Sequence, residues 1–231
     1  MCVKISLLAN IFSPAPLFSF LCCALVKGRK IPYRDIDIVK SILSRPDVDV
    51  NCRTLTTNMT PLNRVCCAVA FENPEHATGL SPPHKPSPPT ALVERCTELV
   101  KILLTRDDID VNIPNLNNAV PVYSAGELGC ASIVKLLLDT GKCDPNICAV
   151  ARRSIGSDSS RVPLLRMVCT FGHVDVARHL LDYKGTDITI HDLPDPRSSP
   201  IPHSAGYASL PLHVSCLIGH TVSLENRRWV G

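Results

Sequence analysis

The chain has 231 residues and a formal net charge of +3; it is 45% hydrophobic but only 4% aromatic. That apolar content supports a packed core, and the scarcity of rings points to aliphatic side chains between helices. So small a charge gives no sign of the concentrated basic stripe that a nucleic-acid surface requires, and no nucleic-acid partner is expected.

The first feature along the chain is an uncharged run, Ser6–Val26, with Lys4 before it and Lys27, Arg29 and Lys30 after it. Its length suits a signal peptide or a membrane span. Pro14 and Pro16 interrupt it, and no clean small-residue cleavage site follows. The expectation is a core helix in its second half and an intracellular, cytoplasmic protein. A secreted or membrane-anchored protein is the alternative.

From there the chain repeats itself. Ile38–Leu43, Leu99–Leu104, Ile133–Leu138 and Val176–Leu181 superimpose, each with a basic residue third and paired aliphatics last. Their basic positions, Lys40, Lys101, Lys135 and Arg178, are 61, 34 and 43 residues apart. Apolar side chains at helical spacing, with the cation on the opposite side, describe a helix packed on one face. Each copy is followed by a polar turn: SRPDVDVN, TRDDIDVN, DTGKCDPN and, without the asparagine, DYKGTDIT. Asp and Asn bond their own backbone and tolerate unusual dihedrals, so these stretches suit hairpin-like connections.

A second element precedes each helix and opens on a proline, which fits the first turn of a helix. The copies are 15–28, 60–70, 120–130, 162–173 and 210–220. Small residues fill the middle of most of them and let neighbouring helices approach closely. Gly129, Gly172 and Gly219 then end the element.

Cysteine is abundant, at twelve residues, yet no pair has the C-x-x-C spacing of a zinc or redox site; Cys143 and Cys148 come nearest. Several lie inside apolar runs (Cys22, Cys23, Cys66, Cys67, Cys169, Cys216), where a reduced cysteine behaves as a small hydrophobe. Buried, reduced core residues are the expectation.

These motifs resemble those of the ankyrin repeat family. Leu210-Pro211-Leu212-His213 with Gly219-His220 matches the first half of that repeat best, and Ile133–Asn146 the second half. The resemblance covers most of the chain, and only the third copy has near-standard length. It implies an all-α, ankyrin-repeat-like solenoid of antiparallel helix pairs joined by β-hairpin-like loops, in about five irregular repeats. The divisions are 1–53 for a divergent first repeat, 54–112 for a second with a Pro-rich insertion at 72–96, and 113–146 for the third. The fourth covers 147–190, and a truncated fifth covers 191–231.

Five prolines between Pro82 and Pro89 keep that part of the insertion from being helical. It is a tolerated surface loop or a docking segment for a proline-binding domain. Two further expanded connections, 147–161 and 190–209, fall where the resemblance places projecting fingers, and loops on a rigid scaffold favour recognition. The fifth copy loses its second helix, which leaves Val214, Leu217 and Val222 without an obvious cover.

His213, Cys216 and His220 stand at helical spacing, as a metal set would. In ankyrin repeats these histidine positions bond backbone across the turn, and Cys169 with His173 repeats the arrangement, so no metal and no cofactor is expected. No phosphate loop, dinucleotide fingerprint, H-E-x-x-H or G-x-S-x-G occurs, and nothing positive supports an enzyme.

The resemblance implies a scaffold that binds another protein through its concave face and finger loops. Candidate contacts, chosen by repeat position and side-chain type, are Arg53, Asn63, Arg64, Asn115, Asn117, Tyr123, Arg152, Arg153 and Arg166. A targeting or regulatory segment of a larger enzyme or signalling protein is the alternative. The family also implies a modification. Its hairpin asparagines are substrates of the 2-oxoglutarate-dependent asparaginyl hydroxylase of the hypoxia pathway, and Asn51, Asn112 and Asn146 fit that enzyme's loose preference, each with a leucine and an aspartate upstream.

Overall fold

The computed structural model describes residues 34–55, 57–68, 90–150, 160–190 and 192–194. Seven helices and three short strands lie within these bounds: α1 Arg34–Leu43, α2 Pro61–Cys67, α3 Thr90–Leu103, α4 Pro121–Glu127, α5 Ala131–Asp139, β1 Cys148–Val150, β2 Ser160–Pro163, α6 Leu164–Phe171, α7 Val174–Asp182 and β3 Leu193–Pro194. The proposed elements at 15–28 and 210–220, and the run Ser6–Val26, lie outside the described residues. Among the described residues no helix is long and apolar enough to cross a membrane.

Helix entry follows from side-chain chemistry. Pro61 and Pro121 sit in the first turns of α2 and α4, where a missing N–H costs nothing, and Pro163 caps α6. At α2 the Thr60 hydroxyl also accepts from the Asn63 N–H at 3.2 Å. Glycine supplies the exit. Gly129 and Gly172 take left-handed φ of +74° and +69° between the two helices of their units.

The packing is two-layered. Helices α2 and α3, α4 and α5, and α6 and α7 pair with one another. The first members stack as α2 on α4 on α6, and the second members as α1 on α3 on α5 on α7. One continuous apolar cluster runs from Val39 to Leu180. Close approach is built in at Gly126, where a Cβ would fall 2.7 Å from Leu164 Cδ1 on the neighbouring helix.

The structure corrects one boundary and adds a small sheet. Helix α3 opens at Thr90, so residues 90–96 belong to the helix and not to the Pro-rich insertion. The reason is the apolar spacing: Leu92, Cys96, Leu99, Val100 and Leu103 all lie on its buried face. The expanded connections after the third and fourth hairpins are also partly ordered, as an antiparallel sheet of order β1-β2-β3. Val150 pairs with Arg161, and Arg161 with Leu193. The fold is therefore helical with a small sheet at one edge.

Successive hairpins are joined by asparagine. Asn51 Nδ2 donates to the Asp108 carbonyl at 2.8 Å, and its Oδ1 accepts from the Asp110 N–H at 2.9 Å. Asn112 makes the same pair with Lys142 and Asp144, at 2.6 and 3.4 Å. Asn146 makes it with Gly185 and Asp187, both at 2.8 Å. Within each hairpin an aspartate two residues earlier (Asp49, Asp110, Asp144) accepts from the asparagine's own N–H at 2.8–2.9 Å. At the fourth hairpin Thr189 takes the position, and both its N–H and its hydroxyl donate back to Asp187.

Arginine adds a second tie. The Arg106 guanidinium holds Asp108 through two bonds of 2.8 and 2.7 Å. It also donates to the Leu43 and Arg45 carbonyls at 2.9 Å, closing the end of α1. The Arg106 side chain is 18% exposed, whereas Arg45, which holds Asp47 in the same way, is 51% exposed. In both pairs the arginine's hydrogen bond keeps the carboxyl below its ordinary range.

Removing one ladder amide deletes two bonds between hairpins. Asn51→Ala or Asn146→Ala is expected to cost about 1–2 kcal/mol of unfolding free energy, seen as a lower urea midpoint with an unchanged slope.

Candidate functional site

The helix layer offers less open surface than side-chain type suggested. Asn63 is fully buried, and its Nδ2 donates to the Ile113 carbonyl at 2.8 Å. Asn115 is buried, and its Oδ1 accepts from the N–H groups of Asn117 and Ala119 at 2.8 and 3.1 Å. Tyr123 is fully buried, with its hydroxyl donating to the Ala149 carbonyl at 3.3 Å. Burial, reinforced by the Glu127 charge, raises that phenol well above its ordinary range. These three candidates therefore hold neighbouring loops in place and do not present themselves to a partner.

The other candidates divide. Arg64, Ser124 and Arg166 occupy equivalent positions on α2, α4 and α6. Arg64 is half-buried, Ser124 is 1% exposed, and Arg166 pairs with Asp192 at 2.8 Å. Arg53 is exposed, and Asn117 is half-buried. Arg152 and Arg153 lie outside the described residues. Asn51 and Asn146 are half-buried and Asn112 exposed, each with its amide held in two ladder bonds.

The loops at 54–59 and 115–119 are equivalent. Thr54 N–H donates to the Met59 carbonyl, and Asn115 N–H to the Ala119 carbonyl, each at 3.0 Å. Asn58 and Asn118, with φ of +52° and +62°, turn the two loops at the same point, as asparagine can. Each then reaches onward, Asn58 Nδ2 to the Pro114 carbonyl at 3.4 Å and Asn118 Nδ2 to the Cys148 carbonyl at 2.8 Å.

Backbone bonds continue the row sideways. Leu116 N–H donates to the Thr57 carbonyl at 3.4 Å, and Val150 N–H to the Asn117 carbonyl at 2.9 Å. The pairs Val150–Arg161 and Arg161–Leu193 carry it to β3. Along this row lie all the exposed large hydrophobic residues among those described. Leu55 is fully exposed, Leu116 is 57% exposed and Leu193 43% exposed. Leu55 and Leu116 each follow the first residue of their loop, the first loop being one residue longer than the second. Neither was among the sequence candidates, although a lone leucine between turn-forming residues, TLTTN and NLNN, was the available signal.

The other chemically notable groups are thiols. The eight described cysteines are buried and form no disulfide. Burial pushes Cys130 up to about 12 and Cys52 and Cys143 up to about 11, and it raises Cys66 well above the ordinary value. Such thiols are core hydrophobes and poor nucleophiles. His173 at the entry to α7 shares a hydrogen bond of 3.2 Å between its Nε2 and the Glu127 carbonyl, and its ring lies against Gly129, where a Cβ would come within 2.6 Å. His213, Cys216 and His220 lie outside the described residues.

Comparison with known protein families and with curated proteins returns no match for this chain.

Raised thiol values give a pH signature of definite sign. The native state keeps protons that an unfolded cysteine, at 9.0, has lost. This stabilisation is full below that value and is lost as pH rises toward about 12. Urea midpoints measured from neutral pH to about pH 10.5 are expected to fall, and to fall less steeply in a Cys66→Ala/Cys130→Ala variant.

Proposed function

We propose that the chain is an ankyrin-type repeat scaffold that binds another protein, chiefly through its finger loops. The observation that carries this reading is the pair Leu55 and Leu116, each exposed directly after the first residue of two corresponding loops. A loop held in one shape that places an aliphatic side chain in water offers an apolar contact to a partner. The loops are held by backbone bonds to their neighbours, so a partner meets a preformed surface and little ordering entropy is lost on binding.

The helix layer contributes less, because Asn63, Tyr123 and Ser124 are buried and Arg166 is engaged with Asp192. Partner recognition therefore centres on the finger row, with Arg53 at its edge. The test is affinity purification from cells expressing the tagged full-length chain. Leu55→Asp/Leu116→Asp is expected to reduce recovery of specific partners about tenfold or more at unchanged thermal stability. Lys135→Glu, on the exposed side of α5, is expected to change nothing. Equal recovery from all three chains would overturn the reading.

A further inference from the structure

The charges of the chain are sorted between its two rows of loops. The hairpins 44–51, 105–112, 139–146 and 182–189 carry nine aspartates against four cations. In the finger stretches 52–60, 113–121, 147–163 and 190–209, Arg53, Arg152, Arg153, Arg161 and Arg197 stand against Asp158, Asp192 and Asp195, of which Asp192 is paired with Arg166. Aspartate in the hairpins has a structural task, since four of these residues accept backbone N–H groups. Among the described residues, Arg53 and Arg161 take no such structural role in an ion pair.

Two of these arginines can be placed. Arg53 is exposed and precedes Leu55 by two residues. Arg161 is half-buried on β2 and is cross-strand partner to both Val150 and Leu193. Directly paired residues of an antiparallel sheet project from the same face, so Arg161 stands between two aliphatic side chains. Its Nε is buried and has no hydrogen-bond partner, and among the described residues neither arginine has an ion-pair partner. The row thus offers Leu55, Leu116, Val150 and Leu193 as apolar contacts, with a cation near each end.

Resting on the scaffold reading, we infer that the occupant of the finger row is an extended protein segment that carries aliphatic side chains together with carboxylates. Aliphatic groups cover the leucines and give most of the affinity. Carboxylates find guanidinium donors in the bidentate geometry that arginine favours, and they are repelled by the aspartate row, which fixes the side of approach. A basic segment would meet like charge in the fingers and is disfavoured.

The experiment pans a random dodecamer peptide display library on the immobilised full-length chain and on an Arg53→Glu/Arg161→Glu variant. Enrichment of peptides rich in Leu, Ile or Val with Asp or Glu on the native chain is expected. Their binding should drop about tenfold on the variant, the size of two charge pairs at or near the surface. An Arg53→Glu chain, altered only at an exposed residue, should show part of this loss and guards against a folding defect at Arg161. Enrichment of basic or uncharged peptides, the same peptides bound equally by the charge variants, or no enrichment over the naive library overturns the inference. So does retention on anionic phosphatidylserine vesicles without peptide enrichment. If partner recovery in cells depends on Leu55 and Leu116 while the peptides are not acidic, the scaffold reading stands and this inference alone falls.

Discussion

The two-ended amide of asparagine is the interaction on which the arrangement depends. It donates to a carbonyl and accepts from an N–H of the same neighbouring hairpin, so it measures both distance and register. Asn51, Asn112 and Asn146 do this three times in succession, although 61 and 34 residues separate them along the chain. Aspartate would lack the donor, and glutamine would set its amide too far out. The helices supply the burial, but the amides fix where one hairpin lies against the next. This is how a stack absorbs the long stretch between α2 and α3 without losing register: the insertion leaves the helix pair at a point the ladder does not use.

Polar groups in this protein serve mainly to join loops. Asn63, Asn58, Asn118 and Tyr123 all spend their side-chain donors on the carbonyl of a neighbouring loop. A buried donor left unpaired costs more than an ordinary hydrogen bond gains, so these residues specify one arrangement as well as stabilising it. The consequence for recognition is indirect but strong. With polar side chains turned inward, the exposed positions among the described finger residues are left to leucine and arginine.

Much of the helical framework could be read from the sequence, because burial imposes a period. The repeated apolar pattern at Ile38–Leu43, Ile133–Leu138 and Val176–Leu181 lies inside α1, α5 and α7. The Leu99–Leu104 copy runs one residue beyond α3. Proline placement marked the starts of α2 and α4 for a steric reason that acts within one turn. The start of α3 was obscured because neighbouring prolines drew the boundary forward, past an apolar spacing that already began at Leu92. The site was far less legible. Whether Asn63 faces a partner or the Ile113 carbonyl depends on a residue fifty positions away, which local pattern cannot report. Leu55 and Leu116 escaped for the opposite reason: a single exposed leucine is ordinary on any surface, and only the equivalence of their loops makes the pair informative.

The ladder also has a direction. Every asparagine amide reaches toward the later hairpin, and Thr189, at the equivalent place in the fourth, bonds its own aspartate as the asparagines do. Damage at one rung is therefore local. Loss of the Asn112 amide releases the hairpin that contains Lys142 and Asp144, while the bonds from Asn51 to the hairpin before it remain closed. Each rung joins two neighbours only, so a stack wired in this way can part at one junction while the others stay closed. Its earlier units can stay closed and keep the paired loops of Leu55 and Leu116 in place while later ones breathe.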